Sequence, residues 1–297
     1  MHKKTVPMLQ IVIIPIAVFA SIFGMFKLLS KFSLTIALSL SVLLACLFIY
    51  AYFIEPNILA ITYKELEFAN FPCKKPVKIL QISDLHYNTD GIIYRKVLNA
   101  VKKENPDFTV ITGDFVSDSG KSDVVNYCKK IVNLKIPVYA VMGNWDHHEK
   151  PGAAKLEREL KSAGMKILSN TNEEVCKNFF IAGTDDPYFG YANLEKTLKG
   201  IPPNAFVILL THSPDIIYEA AKYEPQLILC GHTHGGQVKV PFVKAIYVPS
   251  KYGTRFLEGM FKIGKSYMYV NRGIGESHLR IRFLSPPEIT VFTLRKE

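Results

Sequence analysis

The sequence predicts an α/β fold in which β-strands and helices alternate along the chain, preceded by a pair of apolar helices. Two observations predict it. From residue 77 to residue 230, five short apolar runs with β character are separated by segments of helical periodicity. Ahead of them, at the start of the 297-residue chain, lie two long stretches without charge. This length is ample for one large domain and an appendage.

The two uncharged stretches are residues 5–26 and 32–54. Each is long enough to cross about 30 Å of hydrocarbon as a helix. Only residues 27–31 separate them, so we expect two transmembrane helices that form a hairpin and make residues 1–56 a membrane anchor. The alternatives are a cleaved signal peptide followed by one anchor, and one span with one interfacial segment.

The distribution of lysines near the apolar stretches predicts the orientation of the hairpin. Lysines flank both ends of the hairpin, whereas its turn holds only Lys27 and Lys31. By the positive-inside rule, both ends of the hairpin then face the cytoplasm. We therefore expect the protein in the cell inner membrane, with residues 57–297 on the cytoplasmic side.

The five cysteines are scattered along the chain, at positions Cys46, Cys73, Cys128, Cys176 and Cys230. An odd count without close spacing is not typical of a disulfide framework. We expect buried, reduced thiols, which agrees with a cytoplasmic domain.

The formal net charge of the chain is +10. Its lysines are dispersed, and the sequence has no clustered basic helix and no aromatic RNA-binding motif, so we do not expect nucleic acid as a partner. A basic surface beside the membrane would face anionic lipid headgroups. It would also attract an anionic phospholipid or a nucleotide-linked substrate.

The predicted strands are short apolar runs bounded by turn residues. Residues 61–68 alternate enough to form an outer strand. The strands expected after it are 77–83, 108–112, 138–142, 179–183, 206–210 and 227–230. The tail is β-rich over 256–263, 266–270 and 281–294. We expect these β-rich ends of the domain to form a second sheet that stacks on the first.

Helices are expected between the strands, near residues 93–104, 123–133, 153–163, 192–198 and 215–222. Pro106 signals the end of the first of these, and Gly164 closes the third. Alternating units of this kind place helices outside packed sheets. Residues 184–187 are typical of a turn. This is the role that we expect for Asp185 and Asp186, and the alternative is that they support the ligands of the site.

Residues with metal-binding side chains follow each of the five apolar runs. These islands are 84–86, 113–114, 143–146, 211–213 and 231–234. Strand ends in an α/β sheet are where ligand sites assemble. The islands offer oxygen and nitrogen ligands, which suit paired divalent metals better than a cysteine-based structural zinc. The candidate ligands are Asp84, His86, Asp114, Asn144, His212, His232 and His234.

The spacing of the candidate ligands indicates how they would divide. Asp84 and His86, two residues apart at a strand end, can bind one ion from one direction. Asp114, from a neighbouring strand, could bridge two ions about 3.5–4 Å apart. Such a pair holds a phosphoryl group, activates water for attack and stabilises the charge that develops.

Each island alone is weak evidence, and the ordered set of five is strong. In this order the islands resemble the blocks D-x-H, G-D, G-N-H-D/E, H and G-H-x-H of the calcineurin-like metallophosphoesterase superfamily, over residues 62–297. Residues 271–275 and 287–289 resemble its membrane-associated bacterial branch. The resemblance implies a four-layer α/β/β/α sandwich with two metal ions. Asp84, His86, Asp114 and His234 would hold the first ion, and Asp114, Asn144, His212 and His232 the second.

One position departs from the family pattern, because Trp145 stands where the family usually has His. That His contacts phosphate and can protonate the leaving group, whereas an indole N–H only donates a hydrogen bond. Three alternatives follow: the enzyme is weakened or inactive, His147 or His148 takes the role, or the leaving group needs no acid. Besides Asn144, we expect His147 and Asp146 at the catalytic site; Asp146 either orients its loop or is solvated.

These features together predict a membrane-anchored, two-metal phosphohydrolase. We expect Mn²⁺, with Mg²⁺, iron and Zn²⁺ as alternatives. The family of UDP-2,3-diacylglucosamine pyrophosphohydrolases also lacks the usual His and carries Arg there. By this analogy, the specific expectation is hydrolysis of UDP-2,3-diacylglucosamine to lipid X and UMP in lipid A biosynthesis. The alternatives are a general phosphodiesterase or phosphatase and a non-catalytic scaffold with the same fold.

Overall fold

The structure is a computed structural model that describes residues 14–117, 123–148, 152–241, 244–245, 247–277 and 279–297. Two six-stranded sheets carry the fold of this part of the chain. The strands are β1 (Ala60–Phe68), β2 (Val77–Ile82), β3 (Phe108–Thr112), β4 (Val138–Val141), β5 (Lys166–Ile167), β6 (Thr171–Cys176), β7 (Phe179–Gly183), β8 (Phe206–Leu210), β9 (Leu227–Cys230), β10 (Lys239–Val240), β11 (Lys244–Ala245), β12 (Gly259–Ile263), β13 (Ser266–Val270) and β14 (Glu288–Lys296).

The α-helices of the described residues are α1 (Ile14–Leu29), α2 (Leu34–Ile49), α3 (Ile92–Glu104), α4 (Val124–Val132), α5 (Asn144–His148), α6 (Gly152–Ser162), α7 (Leu194–Leu198) and α8 (Ile217–Ala220). The predicted helix 215–222 is a short α8 between two 3₁₀ turns, Pro214–Ile216 and Ala221–Tyr223. The other four helices predicted between the strands begin and end within two residues of the observed bounds.

The first sheet has the strand order β1-β14-β2-β3-β4-β5. Strand β14 lies between β1 and β2, parallel to the first and antiparallel to the second. Both ends of the domain therefore belong to the first sheet, and the prediction that they form the second sheet is wrong in this respect. The reason is that β14 is buried along most of its length and needs partners on both edges.

The second sheet has the order β12-β13-β9-β8-β7-β6. Only β12 and β13, of the predicted β-rich tail, belong to it. Its centre is parallel, and β6 and β12 form antiparallel edges. Strand β6, with the sequence TNEEVC, has no apolar run and was not predictable from hydrophobic pattern.

Three apolar clusters hold the sheets and helices of the domain together. Val97, Tyr127 and Leu160 of α3, α4 and α6 pack on one face of the first sheet. A second cluster joins the two sheets, and a third covers the outer face of the second sheet, where Ile217 of α8 packs. Successive residues of a strand point to opposite faces, so each apolar strand serves two clusters. The mixed α/β class and the two sheets are as predicted.

The apolar segment at the start of the described chain forms two helices that contact each other, α1 and α2. Helix α2 continues through a π turn, Tyr50–Ile54, and a 3₁₀ turn, Glu55–Asn57. The whole stretch Leu34–Asn57 is long and apolar enough to cross a membrane by length and composition, whereas α1 is shorter. Residues 5–13 of the predicted first span lie outside the described residues. The membrane hairpin therefore stays a prediction.

The cysteines depart from the expectation of isolated buried thiols. Cys128 and Cys230 are buried, as expected. Cys176 is exposed, and its Sγ lies only 3.1 Å from Sγ of Cys73. No local pattern indicates this approach, because 103 residues separate the two positions.

The cluster between the sheets makes a testable prediction for stability. The ring of Phe206 lies with its centroid 5.0 Å from those of Phe68 and Phe71 and 5.3 Å from that of Phe179. We expect Phe206→Ala to lower the free energy of unfolding by about 3–5 kcal/mol. The measurement is denaturant unfolding of the full chain in detergent. The control Tyr223→Ala, at an exposed ring, should change it by less than about 0.5 kcal/mol.

Candidate metal centre

The candidate ligands sit where strands of both sheets end, on an unusual backbone. Five of them have positive φ: Asp84 (49°), His86 (39°), Asp114 (53°), His232 (73°) and His234 (52°). Residues other than glycine rarely adopt this left-handed conformation. Such strain persists where the surrounding structure enforces it, and it concentrates at functional sites.

The structure brings the candidate ligands together in two buried groups. One group is Asp84, His86 and His234, and the other is Asp114, His212 and His232. In each group the potential ligand atoms lie within 4.8 Å of one another. These groups divide the residues as the family resemblance implies.

Asp114 lies between the two groups. Its Oδ2 is 3.4 Å from Nε2 of His86 and 3.3 Å from Nε2 of His212. Asn144, the seventh candidate, places Oδ1 2.9 Å from the same His212 nitrogen. One carboxylate oxygen thus lies between the two groups, and its role as a ligand shared by two ions stays a prediction.

Backbone carbonyls fix which imidazole nitrogens face the centre. His86 Nδ1 donates to the carbonyl of Val116 at 3.2 Å, and His212 Nδ1 donates to that of Thr112 at 2.8 Å. His232 Nε2 donates to the carbonyl of Pro249. Because a carbonyl only accepts, the other nitrogen of each ring is left to bind at the centre.

The donor set fits two divalent cations. Nδ1 of His232 lies 3.0 Å from Nε2 of His212, and Nε2 of His86 lies 3.1 Å from Nε2 of His234. Ring nitrogens that face each other this closely need a proton or a cation between them. Neither group contains cysteine, and oxygen and nitrogen ligands suit Mn²⁺, Mg²⁺, iron or Zn²⁺.

Burial sets the charge of the histidines. It lowers the pKa of His86 to about 4 and that of His232 to about 3, so both rings are neutral at pH 7, the form that binds metals. His212 differs: burial also opposes its charge, but the Asp114 carboxylate outweighs this effect and raises the pKa of His212 to about 10. A cation bound there must displace that proton.

Asp146, predicted among the catalytic residues, holds the backbone in place. Its carboxylate is buried and accepts hydrogen bonds from the N–H groups of Phe115 (2.9 Å), Val116 (3.2 Å) and Gly143 (2.9 Å). These bonds tie the loop of Asp114 to the loop of Asn144. Asp146 therefore orients its neighbours, which was one of the two alternatives, and the solvated alternative is wrong.

His147 contacts Asp185, for which the sequence favoured a turn role, with support of the site's ligands as the alternative. Its Nε2 lies 2.7 Å from Oδ1 of Asp185. Burial opposes the imidazolium, but the hydrogen bond that His147 donates to the Asp185 carboxylate outweighs this effect and raises the pKa of His147. Asp186 does have the predicted turn role, since it accepts from the N–H groups of Tyr188 and Phe189. Proton donation by His147 stays a prediction.

Trp145 contributes through its backbone and its ring. The backbone N–H donates to Oδ1 of Asp114 at 2.8 Å. The indole lies perpendicular to the ring of His86, with a centroid distance of 5.5 Å. The residue that replaces the usual family His thus fills space beside one metal-binding group.

Sequence reasoning missed the residues that support His234. Arg282 is fully buried and places Nη2 3.5 Å from Nδ1 of His234 and 3.2 Å from the carbonyl of Gly273. Ser285 Oγ donates to the carbonyl of His234 at 2.9 Å. Glu55, at the end of the apolar segment, accepts the N–H groups of Leu284 (2.9 Å) and Ser285. The available signal was the charge of Arg282 between two apolar neighbours.

Comparison with known proteins gives the same assignment. A model of the calcineurin-like phosphoesterase family matches residues 77–236, the stretch that holds all five islands. The uncharacterized metallophosphoesterase YkuE of Bacillus subtilis (strain 168) is 32% identical over 83% of this chain and 89% of its own length. The UDP-2,3-diacylglucosamine pyrophosphatase LpxG of Chlamydia muridarum (strain MoPn / Nigg) is 28% identical over 82% of this chain and 91% of its own length. The phosphodiesterase YaeI of Escherichia coli (strain K12) is 30% identical over 74% of this chain and 82% of its own length.

A buried cluster of carboxylates and imidazoles on this two-sheet fold, in a chain with such relatives, defines a metal-dependent hydrolase of phosphate esters. The chain belongs to the calcineurin-like phosphoesterase family, as the order of its islands predicted.

The shared position of Asp114 predicts the effect of removing it. We expect Asp114→Ala to lower the metal content of the purified chain from two ions to one or fewer. Phosphodiester hydrolysis should fall by more than the roughly 10–100-fold that changes around a metal site usually cause. The measurements are elemental analysis after dialysis and initial rates. Asp90→Ala, at a carboxylate that is 53% exposed, is the control. Two retained ions and a near-normal rate would contradict the shared role.

Proposed function

We propose that this protein is a membrane-anchored phosphohydrolase with two divalent metal ions, which cleaves a phosphate ester or pyrophosphate bond of a lipid-linked substrate. The observation that carries the proposal is the placement of Asp114 between two buried ligand groups. Residues 1–56 would form the anchor, and residues 57–297 the catalytic domain.

Seven residues would hold the ions: Asp84, His86, Asp114, Asn144, His212, His232 and His234. When bound, two such ions neutralise phosphoryl oxygens and lower the pKa of water. The protein's own contribution is to fix the ligands before substrate arrives. Asp146 holds the Asp114 and Asn144 loops together, and the carbonyls behind the three histidines set their tautomers.

Trp145 narrows the class of leaving group. Its indole cannot supply a proton at neutral pH, so chemistry at this position favours a group that departs as a stable anion. A phosphate monoester leaving from a pyrophosphate is such a group. His147, with its raised pKa and its contact to Asp185, is the candidate proton donor for other substrates.

An apolar groove supports a lipid-linked substrate. A groove of about 520 Å³ lies between α1, α2 and the catalytic domain, lined among others by Ile22, Leu47, Val238, Ile281 and Phe283. This volume is typical of small-molecule sites. Because the groove is formed largely by apolar helix residues, an acyl chain could enter it from a bilayer without crossing water.

A second cleft in the described part of the chain has room for a headgroup. It measures about 730 Å³ and is lined among others by Tyr188, Tyr247 and Lys251. Tyr188 connects it to the metal-binding residues, because its ring lies 5.5 Å from that of His232. Aromatic rings and a lysine are suited to a nucleotide.

The specific substrate that we propose is UDP-2,3-diacylglucosamine, hydrolysed to lipid X and UMP in a host that makes lipid A. The similarity to LpxG supports it, as do the groove, the cleft and the loss of the acid at Trp145. The lysines around the apolar segment support an inner-membrane location with the domain facing the cytoplasm.

A general phosphodiesterase is the second candidate, and the similarity to YaeI favours it. A non-catalytic scaffold is disfavoured because all seven ligand positions are filled by metal-binding side chains.

A panel of substrates tests the proposed function. The purified full chain with Mn²⁺ should hydrolyse UDP-2,3-diacylglucosamine with a higher kcat/KM than bis(4-nitrophenyl) phosphate, and 4-nitrophenyl phosphate least of all. The readouts are UMP release by chromatography and nitrophenolate absorbance. Turnover of the aryl esters without any UMP release would replace the specific proposal with the general phosphodiesterase.

Restoring the family histidine tests the leaving-group argument. We expect Trp145→His to accelerate phenyl phosphodiesters about tenfold or more, since general acid catalysis contributes about 10²–10⁴-fold for groups that need a proton. The effect on 4-nitrophenyl diesters should be small, because that leaving group is stable as an anion. Trp145→Phe controls for the loss of the indole. Equal acceleration of both esters would refute the argument.

A further inference from the structure

Cys73 and Cys176 bring a segment next to the first sheet into contact with a strand of the second sheet. Cys73 lies in the segment that leads into β2 of the first sheet, and Cys176 is the last residue of β6, at an edge of the second sheet. Their Sγ atoms are 3.1 Å apart, closer than unbonded sulfurs usually approach. A disulfide needs about 2.05 Å between them, so closure requires a shift of roughly 1 Å.

Packing around the pair holds both segments in place. Two residues before Cys73, Phe71 is buried and packs its ring against Phe179 (5.8 Å) and Phe206 (5.0 Å) of the second sheet. Cys176 pairs with the same Phe179 across the β6–β7 turn. The approach of the two sulfurs is therefore fixed by the core on both sides and does not depend on a loose loop.

We propose that Cys73 and Cys176 form a disulfide that links the two sheets when a disulfide oxidant is present. The exposed Cys176 thiolate attacks an external disulfide RSSR, which gives a mixed disulfide and one RSH. The Cys73 thiolate then attacks the Cys176 sulfur and releases the second RSH. Two thiols lose two protons and two electrons, and RSSR is reduced to two RSH.

The order of these steps follows from exposure. Cys73 is partly buried, and burial, followed by the neighbouring Cys176 thiol, raises the pKa of Cys73 to about 12. Once Cys176 is held in the mixed disulfide, burial alone still disfavours the Cys73 thiolate, so closure should be slower at neutral pH than at higher pH. The bond would form in an oxidising compartment and stay open in a reducing one.

The bond should stabilise the domain without affecting catalysis. It would close a loop of 103 residues, and loops of this length give large stabilisation in the chain-entropy account. Cys176 pairs with the first residue of β7, whereas the metal-binding islands follow the last residues of β2, β8 and β9. Because β7, β8 and β9 are parallel, Cys176 and the ligands that follow β8 and β9 lie at opposite ends of these strands.

The experiment oxidises the full chain in detergent at pH 8 with glutathione disulfide. We expect a Cys73–Cys176 peptide in non-reducing mass spectrometry and a loss of two thiols by maleimide labelling. The thermal midpoint should rise by about 5–15 °C and fall back with dithiothreitol. Hydrolysis of bis(4-nitrophenyl) phosphate should be unchanged. Cys73→Ser and Cys176→Ser should each remove the rise, whereas the matched control Cys46→Ser should keep it.

Two outcomes would overturn the proposal. One is glutathione attached to Cys176, or dimers through Cys176, without the internal peptide. The other is a Cys73–Cys176 disulfide whose formation leaves the thermal midpoint at the level of Cys73→Ser, since the link would then not stabilise the domain.

Discussion

The buried carboxylate of Asp114 is the contact on which the rest of the centre depends. One oxygen accepts from the backbone of Trp145, and the other lies between His86 and His212. Its backbone carbonyl also accepts from the N–H of His86 at 2.9 Å. A buried negative charge is unfavourable unless positive charge compensates it. The same residue therefore both attracts cations and ties four islands of the chain into one site.

The site could be predicted from sequence because its residues follow buried strands in a fixed order. The left-handed backbone at Asp84, Asp114 and His232 leaves little space, and glycines accompany it. A side chain at Gly143 would collide with Asp114, and one at Gly231 would collide with Asp84. The pairing of Gly with Asn, Asp or His in the sequence thus records a steric requirement of the site.

The features that could not be predicted are contacts between distant parts of the chain. The position of β14 between β1 and β2 depends on edge pairing, which an apolar pattern does not specify. Arg282 looks like part of a β-rich tail, yet its side chain supports His234. Asp146 and Asp185 have partners 31 and 38 residues away. Local patterns reveal which residues can bind metal, but not which ones hold them in place.

Glu55 connects the apolar helices to the rest of the domain more closely than its position in the sequence suggests. Glu55 belongs to the last turn of the apolar segment. Its carboxylate oxygens accept hydrogen bonds from the backbone N–H groups of Leu284 and Ser285, and Ser285 in turn contacts the His234 loop. A fragment trimmed to begin at residue 57 would leave two amide groups without that acceptor, at about 1–3 kcal/mol each where they remain buried. Weak turnover by such a fragment would then reflect a less ordered segment beside His234, and it would not show which substrate the intact protein prefers.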